Sequence, residues 1–180
     1  MGTTSQPKVT ACRENVMGYS LGMSNVTYTH GIVYRNESKP FRYRYVLLQP
    51  TAIRVPGYDF GCWRAAGAED RKTYIEASGD KLTIHAGYAW DGCTHAVDAS
   101  WNMRASLYHD ALYQAKKCGF DTCAWWTIDN LFREIMKQDG ASLVQRNTYY
   151  YAVRTFGALY KLEKLDSLVP ACVFSMGSHD

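Results

Sequence analysis

Lys81-Leu82-Thr83-Ile84-His85-Ala86-Gly87-Tyr88-Ala89-Trp90 carries the clearest structural signal in the chain. Leu82, Ile84, Ala86, Tyr88 and Trp90 alternate with Lys81, Thr83, His85, Gly87 and Ala89, the period of two that turns one side of a strand to a core and the other to water. Ser78-Gly79-Asp80 just before it suits a hairpin turn from a strand over residues 73–77. Further upstream, residues 27–34, 42–48 and 58–63 are short strand-like runs separated by turn formers.

Downstream, after Asn102, the period becomes helical. A first helix is expected over residues 102–117, stopping before Gly119. A second starts at Asp121, a good N-cap, and runs to Gln138 before Gly140. A third starts at Ser142, where Ser142-Leu143-Val144-Gln145 reads as a capping box, and extends to Leu162. Their connections are short, so the helices are expected to pack as antiparallel neighbours beside the strands. The fold class is therefore α+β: an N-terminal antiparallel β-sheet followed by three antiparallel α-helices. One domain spans residues 21–164, β-rich over 27–90 and helical over 102–162, with a loose N-terminal arm (1–20) and a loose C-terminal tail (165–180).

Composition agrees with one core: 180 residues, 47% hydrophobic and 21% charged. No apolar run approaches the length of a membrane span, and Met1-Gly2-Thr3-Thr4-Ser5-Gln6-Pro7 lacks the basic and apolar regions of an export signal. A soluble protein with no transmembrane segment is expected. The net charge of +3 is dispersed, and basic clusters are doublets such as Lys116-Lys117, so no nucleic-acid partner is expected. Cys12, Cys62, Cys93, Cys118, Cys123 and Cys172 form no C-x-x-C pair of the structural zinc kind and are read as thiols.

Inside the first helix stands Leu107-Tyr108-His109-Asp110-Ala111-Leu112-Tyr113. His109 and Tyr113 are four apart and share a face, with Asp110 about a quarter-turn round. In the second helix Asp129 shares a stripe with Trp125, Phe132 and Met136, where an unpartnered carboxylate is costly. Short-loop pairing of the helices makes His109 its expected partner, through one ring nitrogen. The other nitrogen is then free to act as a base. Asp91, in Trp90-Asp91-Gly92-Cys93-Thr94, and Asp110 are expected to approach each other and hold a hard cation or a water. His95 and Asp98 lie in the same loop as further candidates. The same His-Asp set also reads as a buried polar network that fixes helix register. Arg104, Arg133 and Arg154 read as solvated or as partners of nearby carboxylates rather than as anion binders, and Tyr149, Tyr150, Tyr151 and Tyr160 as core and rim of the third helix.

These motifs resemble a family of uncharacterised proteins common in bacteriophages and prophages. Its pattern of Asp-Gly-Ala-Ser, His-Asp-x-Leu-Tyr and Ala-Asp-x-Leu-Phe appears here as Asp91-Gly92-Cys93-Thr94, His109-Asp110-Ala111-Leu112-Tyr113 and Ile128-Asp129-Asn130-Leu131-Phe132, over about residues 80–160. The resemblance implies a phage or prophage protein, made in the host cytoplasm, with virion proteins among its partners. The helix pair is also similar to that of phospholipase A2, especially the disulfide-poor viral capsid type. That similarity implies that His109 activates water, Asp129 orients His109, Tyr113 supports Asp129 and Asp110 holds calcium, with a lipid or another ester or amide of envelope material as substrate. The alternative expectation is a non-enzymatic virion, tail-associated or host-binding protein in which the His-Asp network is structural.

Overall fold

The computed structural model describes residues 26–36, 43–67, 71–93, 97–120 and 122–162. The expected arms, 1–20 and 165–180, lie outside these, as do His95 and Asp121. The strands are β1 (Val26–Thr29), β2 (Ile32–Asn36), β3 (Tyr45–Leu47), β4 (Thr51–Arg54), β5 (Cys62–Ala66), β6 (Thr73–Ser78), β7 (Lys81–Ile84) and β8 (Ala89–Trp90). The helices α1 (Ser100–Lys117), α2 (Trp125–Gln138) and α3 (Leu143–Leu162) follow. The arrangement is α+β, antiparallel strands first and three helices after.

The strands form two four-stranded antiparallel sheets, not one: β1-β2-β3-β8 and β4-β7-β6-β5. The alternating stretch from Lys81 to Trp90 is the bridge between them. It breaks after Ile84, turns through His85 and Gly87, and resumes as β8 in the other sheet. Gly87 sits at φ +93, a conformation that L side chains rarely adopt, and a Cβ there would lie 3.1 Å from both the Lys72 amine and the Tyr74 ring. Its N–H binds the Leu47 carbonyl at 2.7 Å, which starts the new pairing. The alternation survives the break in burial: Leu82, Ile84, Tyr88 and Trp90 are all buried. A period of two reports which side of the chain is covered and says nothing of which strand lies beside it.

Other boundaries moved for local reasons. Residues 27–34 are a hairpin rather than one strand, because His30 (φ 45) and Gly31 (φ 80) take the two positive angles of a tight two-residue turn. The run expected over 58–63 pairs as Cys62–Ala66, and β4 gave little signal because Ile53 is its single buried residue. The second helix begins at Trp125, later than Asp121 suggests. The third begins after Ser142 with the capping box formed: Gln145 N–H donates to Ser142 Oγ at 3.3 Å, and Ser142 N–H to Gln145 Oε1 at 2.8 Å. Among the described residues, no helix is long and apolar enough to cross a membrane.

Helix α1 is the centre of the molecule, buried on nearly every side. Met103, Leu107, Tyr108, Ala111 and Leu112 belong to one core with both sheets and α2. Polar side chains pin it to the strands: Tyr108 to Thr51 at 3.1 Å, Trp90 Nε1 to Ser106 at 3.1 Å, and Tyr88 to Gln114 at 3.1 Å. Helix α2 runs antiparallel to α1 and offers Ile128, Leu131, Phe132, Ile135 and Met136 to the core. Helix α3 lies against α2 and turns Tyr149 and Val153 inward.

Candidate functional site

Helix geometry brings four side chains from three helices together. His109 and Tyr113, one turn apart on α1, stack with ring centroids 4.1 Å apart. Across from them on α2, Asp129 is fully buried. Its Oδ1 lies 3.0 Å from His109 Nε2 and accepts the Tyr113 hydroxyl at 2.6 Å. Its Oδ2 accepts Arg154 Nη1 of α3 at 3.0 Å. Phe132 and Trp125 close the surroundings, the first 5.2 Å from the His109 ring and the second 4.7 Å from the Tyr113 ring.

Three donors explain how a carboxylate survives inside an apolar core. Burial alone pushes Asp129 up, yet hydrogen bonds from His109 and Tyr113, the His109 charge and the Arg154 bond outweigh it and hold the carboxyl below its ordinary value. Tyr113 is pushed up by burial and by Asp129, so its hydroxyl stays a donor. The sequence shows Arg154 one turn along α3 from Tyr150, but which carboxylate it meets depends on how α3 lies over α2.

The other imidazole nitrogen, expected to be free, instead faces its neighbour in sequence: Nδ1 is 3.5 Å from Asp110 Oδ1. Burial pushes the His109 pKa down, while hydrogen bonds and charge from Asp110 and Asp129 raise it more, so the ring holds its proton above the ordinary histidine value. Asp110 is raised by burial and by Asp91 and Asp98, against the opposing pull of His109. Its side chain is 31% exposed, against 10% for that of His109. Water therefore meets this pair from the Asp110 side.

A corner of carboxylates surrounds Asp110. Asp98 is the most committed: Oδ1 accepts the Cys93 N–H at 2.7 Å, and Oδ2 accepts Arg44 Nη1 and the Tyr45 hydroxyl at 2.8 Å each. Gly92, at φ +76, makes room for it, since a Cβ there would come within 2.5 Å of Asp98 Oδ1. Asp91 is exposed and accepts the Arg44 N–H at 3.2 Å. The Cys93 thiol, pushed up by burial and by Asp98 and Asp110, stays protonated and is a poor nucleophile. Among the described residues, no group of three or more His, Cys, Asp or Glu converges as metal ligands. Beside Asp98 stand two further carboxylates, Asp91, which accepts the Arg44 N–H, and Asp110, which faces His109 Nδ1. That number suits a largely hydrated ion and falls short of a full calcium cage.

Residues 69–153 match a family model described as a protein of unknown function, DUF1353. The matched segment contains Asp91, His109, Asp110, Tyr113 and Asp129, and stops one residue before Arg154. No curated protein and no solved structure matches the chain.

Proposed function

We propose that the chain is a hydrolase in which His109 activates water against an ester or amide carbonyl of envelope material. One observation carries this reading: a buried carboxylate, Asp129, is held by Tyr113 and Arg154 so that it grips a single nitrogen of His109, while the other nitrogen faces the partly exposed Asp110. A ring gripped at Nε2 is fixed in tautomer and orientation, as a general base requires. The similarity of the helix pair to phospholipase A2 supports the same roles.

In the base form, Nε2–H donates to Asp129 and Nδ1 carries the lone pair. A water entering from the Asp110 side comes between Asp110 and Nδ1 and gives its proton to Nδ1, the resulting hydroxide adds to the carbonyl, and the tetrahedral intermediate forms. The imidazolium, stabilised by Asp129, then returns the proton to the departing oxygen or nitrogen, which leaves as alcohol or amine. Because His109 is held protonated above its ordinary range, activity rises with pH through its pKa. A hard cation on Asp91 and Asp110, when bound, supplies charge neutralisation at Asp110. The chain's motifs, through their resemblance, further support a phage- or prophage-derived protein that is soluble, made in the host cytoplasm and carried with the virion.

The test is turnover of a soluble short-chain phospholipid and of a matching amide by the wild type and by His109→Gln, with folding followed in parallel. Wild-type turnover that falls by two orders of magnitude or more in a folded variant is expected. Turnover that survives the substitution, or none on either substrate, overturns the reading. A second reading has its own observation: Asp129 ties all three helices together, and such a network could serve register alone. It predicts a variant that is badly destabilised and a wild type without turnover.

A further inference from the structure

The seam between α2 and α3 has a composition unlike the rest of the surface. Asp129 meets Arg154 there, and the Arg133 guanidinium lies over Tyr150, 5.5 Å from the ring centroid. The helices are antiparallel, so the same pairing carried one turn further sets Lys137 level with Arg146. Trp126, Arg133 and Lys137 fall seven and four apart on α2, and Arg146, Tyr150 and Arg154 fall four apart on α3, each set one stripe of its helix.

The charge of this face is one-sided. From Gly140 to Leu162 the sequence holds no Asp or Glu. Asp129 and Asp139, at the two ends of α2, are both buried and paired. Among the described residues of the two helices that leaves Glu134, 3.7 Å from Lys137, as the exposed acid against Arg133, Lys137, Arg146 and the half-exposed Arg154. Arg133 and Arg146 each keep a buried Nε with no hydrogen-bond partner. Large apolar side chains stand out on the same two helices: Trp126 is 59% exposed, Leu143 56%, Val144 75% and Tyr151 67%. Val144 and Tyr151, seven apart, point away from the side on which Tyr149 and Val153 enter the core.

Single exposed apolar residues are ordinary on protein surfaces, but four on one helix pair that also carries cations and is nearly free of acids form a face with a chemical complement. That complement is negative at its surface and apolar just beneath. Nucleic acid would answer the arginines and leave Val144 and Leu143 in water. A second copy of the chain would set its own cations against these. We propose that the outer face of the α2–α3 pair docks on an anionic lipid bilayer, with Arg133 and Lys137 against headgroup phosphates and Trp126, Val144 and Tyr151 in the interfacial layer. This goes beyond the hydrolase reading and does not depend on it, although Arg154 joins the face to the Asp129 network.

Binding is measured by co-sedimentation with vesicles of non-hydrolysable ether-linked phosphatidylcholine, alone and mixed with ether-linked phosphatidylglycerol. Tryptophan emission is followed in parallel. The wild type is expected to bind the anionic vesicles only, with a blue shift that Trp126→Phe removes. The pair Arg133→Gln with Lys137→Gln is expected to weaken binding about 30-fold, and Val144→Ser with Tyr151→Ser to weaken it independently, both variants keeping wild-type unfolding temperatures. Absence of binding to anionic vesicles, or binding that neither double variant changes, overturns the proposal. Displacement from vesicles by duplex DNA at equal charge reassigns the face to a polyanion. A solution dimer dissociated by Tyr151→Ser reassigns it to a second copy, and either result also overturns the lipid assignment. Hydrolysis of a soluble substrate needs no surface, so the docking and the chemistry at His109 can fail separately.

Discussion

Two buried ion networks cross from α1 to α2, five residues apart along α1, and they are built for different ends. At the first, Arg104 takes Asp139 through both oxygens, Nη2 to Oδ1 at 2.6 Å and Nε to Oδ2 at 3.1 Å, with Gln138 on the remaining Nη2 bond at 3.1 Å. At the second, Asp129 takes His109, Tyr113 and Arg154. Arginine cannot give up its proton in a protein, and its fork matches a carboxylate in plane, so Arg104 stays charged and the acid, Asp139, with His30 Nδ1 3.6 Å from its Oδ1, is what titrates against it. Histidine can lose its proton, and its second nitrogen points to another acid, so in the second network the donor to the buried carboxylate itself titrates. The electrostatics differ in sign as well. Burial raises Asp139 and Arg104 and His30 do not fully offset it, whereas the donors around Asp129 hold it low. A buried ion pair is by itself weak evidence of function, and the contrast lies in what is left able to titrate.

The largest effect is expected from deleting the carboxylate of the richer network. Asp129→Ala leaves the Arg154 charge and the Tyr113 hydroxyl without their partner, and should cost about 3–5 kcal/mol, the usual penalty for breaking a buried pair. In a chain of this size that lowers the unfolding temperature by about 10 °C, which calorimetry would read directly. A shift of a degree or two would mean that Asp129 is not the hub described here. Replacing both partners of the other network, Arg104→Met with Asp139→Leu, should be close to neutral by the same measurement, because an apolar pair removes the desolvation cost of both charges.

Next comes the opposite pH behaviour of the two acids. Asp129 has a lowered folded pKa, so its stabilisation is present above the unfolded value of about 3.9 and is lost as pH falls toward the folded one. Asp139 has a raised folded pKa, so its contribution is favourable at low pH and declines as pH rises through the interval between about 3.9 and that folded value. Denaturant unfolding between pH 3 and 6 should therefore show acid sensitivity that Asp129→Asn reduces and Asp139→Asn does not. Equal effects of the two substitutions would remove the distinction between the networks.

The smallest effect concerns the carboxylate corner. A hydrated calcium ion on Asp91 and Asp110, present at ten times its dissociation constant, would stabilise the fold by about 1.4 kcal/mol. A thermal shift of a few degrees is expected in the wild type and none in Asp110→Asn. A shift of the same size in both would place the ion elsewhere.

The His109–Asp129 contact was legible in the sequence because three local facts converge on it. His109 sits at the middle of one helix and Asp129 near the start of the next, the connection between those helices is short, and a carboxylate on an apolar stripe demands a donor. The alternation from Lys81 to Trp90 likewise reported burial correctly residue by residue, apart from the partly exposed Ala86 at the break. Secondary-structure type, the helix-three cap and the antiparallel helix order follow from periodicity and capping chemistry, which act over a few residues of chain. What needed the folded molecule is everything set by partners remote in sequence. The division of the strands into two sheets, Arg154 as third donor to Asp129, the engagement of Asp98 by Arg44 and Tyr45, and the Asp110 carboxylate against Nδ1 all depend on distances through space. A pattern of buried and exposed positions shows that a side chain must be covered. It carries no record of what covers it, because the same burial is satisfied by any neighbour of suitable shape and charge.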